Sequence, residues 1–281
     1  MTDIFARVRA VPGSRLLDAG VQVPTVVPEL VGSSVAERDA RLFALNGLAD
    51  RLDLAALLAA ARADGAVLDP VILLSETPTS LDAVASGIIS DIHALRLIRA
   101  SAERPPALLA AMLFAVDPAC RRVTIHRRSD DDRIAPGRLH AIGGAHDPDG
   151  DQLLLHRTAA REALEESGNA LAVDPRGCLT LLMNETAYNT NVWITCFVGV
   201  LADSAIPIPV TPEGQISWYG FDELPALFAR PIDDWVPSGR QALLAWLIAG
   251  MPAGPLNAGA TALSGRDWED LRDRCLAAAQ L

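Results

Sequence analysis

One short run limits what this chain can fold into: Arg161-Glu162-Ala163-Leu164-Glu165-Glu166-Ser167-Gly168. At about 100° per residue, Glu162, Glu165 and Glu166 share roughly a third of a helix circumference. Ala160, Ala163 and Leu164 fall opposite them. The pattern predicts a helix over residues 152–167 that packs through Ala160, Ala163 and Leu164 and turns its carboxylates outward. Burial of Glu162 with exposure of Leu164 would contradict that division. The Pro148-Asp149-Gly150 turn precedes the helix, and Gly168 follows it as a C′ residue. Three like charges within about one turn repel. A hard divalent cation, Mg²⁺ or Mn²⁺, would relieve that repulsion, because such ions take oxygen ligands. Arg161 stands i,i+4 from Glu165 and can hold it. For this string alone, a solvated charged face is an equal reading.

The rest of the chain supplies ample core. Half of its 281 residues are apolar and 21% are charged, which suits one large domain or two ordinary ones. Leucine spacing predicts helices over 33–63, with a further helical stretch over 81–98. Pro105-Pro106 then breaks the pattern. We therefore divide the chain into a helix-rich region at 1–104, an α/β domain at 105–250, and a linker with a final helix at 251–281. Residues 1–34 read as irregular or a short strand pair. Within the central part, strands are expected over 107–116, 122–127, 191–201 and 216–221. Helices are expected over 223–229, 241–249 and 266–280.

Charge and cysteine usage exclude several classes. A formal charge of −11 argues against a nucleic-acid binder, which needs a basic surface. All 24 basic residues are arginine, so any phosphate contact comes from guanidinium groups or backbone amides. Cys120, Cys178, Cys196 and Cys275 form no CxxC pair, which removes zinc ribbons and thioredoxin-type sites. The first eleven residues are too polar for a secretory signal, and no apolar run reaches a membrane span. The expected setting is cytoplasmic, without membrane or nucleic-acid partners.

The helix and its flanks resemble the Nudix hydrolase family. Arg161, Glu162, Glu165, Glu166 and Gly168 match the second half of that family's signature. The first half departs: after Gly144 the acidic residue comes one position late and is Asp151, and Arg161 follows two residues late. The three extra residues should bulge between Ala145 and Leu155 and leave the helix register intact, with Asp151 outside the metal ligands. The stretch 137–144, ending in Gly143-Gly144, is similar to the family's strand into its glycine pair, and 218–225 to its aromatic strand end and following helix.

The resemblance covers about 107–250. It implies an α/β fold, a Nudix-type α/β/α sandwich with a mixed sheet. It also implies Mg²⁺- or Mn²⁺-dependent hydrolysis of a nucleoside diphosphate linked to another moiety. Glu162, Glu165 and Glu166 are the implied metal ligands, and Arg161 belongs to the same catalytic motif. Glu213 is the candidate base or extra ligand, with Glu185 a weaker rival and a solvated loop glutamate the plain alternative. Among Arg121, Arg122, Arg127, Arg128, Arg133 and Arg138, we take Arg127 and Arg138, with Gly143 and Gly144, as the substrate contacts. Of His126, His140, His146 and His156, only His146 is expected beside the site. Tyr188, Trp193 and Trp218 are candidates for stacking a base, although strand aromatics usually belong to a core. Two further readings stand: a nucleotide-binding sensor without turnover, and an enzyme similar to isopentenyl diphosphate isomerase, which wants a cysteine in its pocket. The first hundred residues suit a lid, a homodimer surface or a partner-binding domain.

Overall fold

The computed structural model describes residues 4–29, 31, 34–63 and 69–281. The strands in chain order are β1 (Ala10–Val11), β2 (Ser14–Gly20), β3 (Thr25–Pro28), β4 (Pro70–Leu74), β5 (Val84–Asp91), β6 (Ala107–Asp117), β7 (Arg122–Arg128), β8 (Leu139–His140), β9 (Ile142–Ala145), β10 (Leu179–Glu185), β11 (Val192–Leu201) and β12 (Gly214–Gly220). The α-helices are α1 (Ile4–Val8), α2 (Val35–Leu45), α3 (Leu52–Ala63), α4 (Ile92–Ser101), α5 (Leu155–Glu166), α6 (Leu224–Phe228), α7 (Pro237–Ile248) and α8 (Gly265–Ala278).

The period-2 geometry of β6 organises the molecule. Its even residues Ala110, Met112 and Phe114 enter a core with Leu243, Trp246 and Leu247 of α7. Its odd residues Leu109, Ala111 and Leu113 enter a second core with Leu155, Ala159 and Ala163 of α5. A strand buried on both faces reads as a continuous apolar run, which is why 107–116 is so uniformly hydrophobic. Helices therefore cover both faces of one mixed sheet, as expected of an α/β/α sandwich. β11 lies parallel to β6, while β7, β9 and β4 are antiparallel to it.

Hydrogen bonding crosses the position expected to separate two regions. β4 pairs with β6, and β2 pairs with β10, so strands from residues 1–104 join the same sheet. The three expected helical stretches are present as α2, α3 and α4. However, residues 84–91, expected to be helical, form β5, whose buried Ala85 and Ile88 pack in the sheet. The helix begins at Ile92 because Asp91 caps it, accepting from the amides of His93 and Ala94.

The expected faces of α5 are also corrected. Its buried residues are Leu155, Thr158, Ala159, Glu162, Ala163 and Glu166, whereas Ala160 and Leu164 are only half-buried. The packing ridge is Leu155–Ala159–Ala163, an i, i+4, i+8 row. A window confined to 160–166 misses its first two members and rotates the apolar face. Burying Glu162 and Glu166 is tolerated because the backbone they cover carries two glycines.

Candidate active site

Strand β9 and helix α5 place the site. At Gly144, an added Cβ would lie 2.5 Å from the Glu162 carboxylate. At Gly143, it would lie 2.4 Å from the Ala111 carbonyl oxygen. Only glycine at 144 lets the strand pass beneath the helix this closely, and only glycine at 143 lets it lie this close to β6. The Gly143 amide donates to Glu166 at 3.2 Å, and Nδ1 of His126 on β7 lies 3.1 Å from the same carboxylate.

Glu162, Glu166 and Glu213 each direct a carboxylate oxygen into a group whose atoms all lie within 4.8 Å of one another. Glu162 and Glu166 are buried, and Glu213 stands on the exposed lip. Burial first, then the charges of Glu166 and Glu165, push the Glu162 carboxyl up to about 8 against the opposing pull of Arg161. Desolvation and the neighbouring Glu166 likewise raise Glu213. Oxygen donors this close, with carboxyls held above their ordinary range, suit a hard divalent cation, whose charge would remove both penalties. The residues fit a metal on that ground.

Arg161 holds the arrangement from behind. Its guanidinium donates to Asp151 at 3.0 and 3.1 Å, to Glu165 at 2.8 Å and to the Ala145 carbonyl at 3.1 Å. It also lies 2.8 Å from Glu162. These carboxylates raise its pKa despite burial. Asp151 is buried and accepts from the Asp147 amide at 3.1 Å. The extra loop residues therefore sit before Leu155, as expected, and Asp151 pairs with Arg161 rather than joining the three clustered glutamates. Glu165 is half-exposed and turned to Arg161, so it stands apart from the cluster that the sequence assigned to it.

The acidic group opens into a cleft of about 350 Å³ lined by His126, Arg128, Gly143, Gly144 and Asp132, among others. Arg127 and Arg138 do not line it. Arg127 pairs with Asp130 at 2.6 Å on the surface. Arg138 lies over the Tyr188 ring at 5.0 Å and donates to its hydroxyl at 2.9 Å. Arg128 enters instead, because it shares a side of β7 with His126. Strand alternation from Thr124 would have picked out both residues.

His146 is structural: it is buried, with Nδ1 2.7 Å from the Thr158 hydroxyl. Glu185 is absent from the cluster and has one carboxylate oxygen occupied by the Ser238 amide and hydroxyl. Trp193 is fully buried and donates to the Pro78 carbonyl. Among the described residues no cysteine lines the cleft, the feature that the isomerase-like reading wants.

No family model and no curated protein matches this sequence. Among solved structures, the chain is similar to a MutT protein from Methanosarcina mazei Go1. That match has 20% identity and a TM-score of 0.35, covering 45% of this chain and 85% of that one. It is also similar to the Nudix domain of Shewanella oneidensis NrtR complexed with ADP ribose, with 21% identity and a TM-score of 0.36 over 50% and 85% of the two chains. A C. elegans Ap4A hydrolase gives 17% identity and a TM-score of 0.35 over 50% and 98%. Each of these matches spans half of this chain or less.

Proposed function

We propose that the protein is a divalent-cation-dependent hydrolase that cleaves the phosphorus anhydride of a nucleoside diphosphate linked to another moiety. The observation that carries this reading is the convergence of Glu162, Glu166 and Glu213 over the glycine pair. Glu162 and Glu166 would hold Mg²⁺ or Mn²⁺, with Glu213 completing the set or acting beside it. When bound, such an ion lowers the pKa of water and neutralises charge on a departing phosphate.

The remaining roles belong to the chain itself. Glu213, at the lip with a raised pKa, accepts the proton of the attacking water at its carboxylate oxygen. Arg128 lines the same cleft; its Nε and Nη2 are held by Asp132, and its remaining Nη1 would meet the diphosphate oxygens. Arg161 fixes Glu162, and the Gly143 amide fixes Glu166, which lies beside His126. Glu165 tethers Arg161 rather than serving as a ligand.

The test is a screen of nucleoside diphosphate sugars, dinucleotides and nucleoside triphosphates with Mg²⁺ and Mn²⁺, with chelator as control. Turnover of at least one diphosphate, abolished by chelator, supports the proposal. Saturable nucleotide binding without turnover under either ion would replace it with the sensor reading.

A further inference from the structure

Behind the glycine pair lies a second cavity of about 210 Å³. It shares Gly143, Gly144 and Arg128 with the acidic cleft, so the two cavities adjoin at the glycine pair. Its walls are largely apolar, with Leu108, Met112, Val192 and Ile194 among them. One wall residue comes from the region whose role the sequence leaves open: Arg99, on α4.

Arg99 is out of keeping with this apolar lining. Its Nε and Nη2 are shut off from solvent and find no hydrogen-bond partner among the described residues. Burial accordingly lowers its pKa. Arg240 is more deeply buried, and although its Nε also lacks a partner, its Nη2 donates to the carbonyls of Phe228 and Ala279. An unpaired buried cation is costly to the fold.

The other charged or titratable groups around the cavity each hold a partner, Tyr188 through Arg138 and Trp235, although Nδ1 of His140 is left without one among the described residues. Arg128 pairs with Asp132 at 3.1 Å, Glu185 is held by Ser238, and His140 Nε2 lies 3.1 Å from the Ser238 hydroxyl. The donors of Arg99 are therefore left for a ligand. A guanidinium fork matches an oxyanion. The cavity is also smaller than the roughly 300–1,000 Å³ typical of pockets for a whole drug-sized ligand, so it suits a terminal group.

We propose that this cavity is an oxyanion subsite formed by Arg99. On the hydrolase reading above, on which this step rests, the substrate is then a diphosphate whose distal moiety ends in a carboxylate or a phosphate. Residues 1–104 thereby acquire a role: they deliver a specificity-determining side chain to a cleft built by the rest of the sheet.

The test uses the full chain without added metal and two probes, inorganic phosphate and acetate. Binding is followed through the backbone amide resonances of Gly144 and Ala145, in the parent and in Arg99→Met and Arg99→Gln. A saturable shift of millimolar order in the parent, weakened at least tenfold in whichever variant folds, supports the subsite. The probe that binds more tightly identifies the oxyanion. No saturable shift with either probe, or equal affinity in parent and variants, overturns it. Neither probe contains an anhydride, so failure here leaves the hydrolase reading standing, and failure of the nucleotide screen leaves the subsite standing.

Discussion

Gly144 and Glu162 are fitted to one another: the strand backbone passes so close beneath the helix that a single added methyl would lie 2.5 Å from the carboxylate. The glycine pair is thus the floor of the acidic group. Gly144→Ala should push the Glu162 carboxylate aside, which a flexible side chain permits without unfolding. We expect activity in the nucleotide assay to fall at least tenfold while the melting temperature moves little. Parent-like turnover would show that this floor does not set the ligand position.

Glu166→Gln and Glu162→Gln each remove one negative oxygen donor and keep the shape. Stability should hold or rise, because like-charge repulsion falls. Turnover should drop beyond the roughly 10–100-fold loss typical of outer-shell partners of a metal site. Steady-state kinetics beside a thermal melt checks both expectations.

Arg161 and Asp151 act through Glu162 rather than on the substrate. Asp151→Asn leaves Arg161 with weaker partners, so the loss should stay within about 10–100-fold and be partly recovered by raising Mg²⁺. Glu165→Gln should cost less than Glu166→Gln, since Glu165 is half-exposed and turned to Arg161. Equal losses at the two positions would return Glu165 to the ligand set.

Much of the site was legible in the sequence, and the parts that were not have physical explanations. The Arg161–Gly168 run located the helix and its carboxylates, and the apolar run at 107–116 located the central strand. The phase of α5 was misplaced because Leu155 and Ala159, which begin its packing ridge, lie outside the run that carries the charges. The sequence of β5 suggests a helix because Ala85, Ile88 and Ile89 suit either period in a short window. His126 and Arg128 were obscured by the arginine-rich stretch, where only the pleat of β7 separates cleft residues from surface ones. Arg99 gave no signal, since its place depends on pairing between β4 and β6, strands separated by α4 and β5.

Glu162 also predicts a pH response. Its folded pKa of about 8 exceeds the ordinary value of 4.5, so between these values the folded chain holds a proton that the unfolded chain releases. Stability therefore falls as pH rises through this window. In chelator, the melting temperature of the parent should decline from pH 5 to pH 8 more than that of Glu162→Gln. Added Mg²⁺ should raise it more at pH 8 than at pH 5, because binding competes with the proton. Identical pH profiles for the parent and Glu162→Gln in chelator would contradict this assignment.

The central claim is that Glu162 and Glu166, with Glu213 completing the set or acting beside it, hold a divalent cation. Electron paramagnetic resonance of free Mn²⁺, titrated with the full-length parent and with Glu166→Gln, tests it most directly. The account predicts saturable Mn²⁺ binding by the parent, displaced by Mg²⁺ and weakened at least tenfold in a Glu166→Gln protein that melts like the parent. Equal Mn²⁺ affinity in the two proteins would show that the buried carboxylates serve the fold alone.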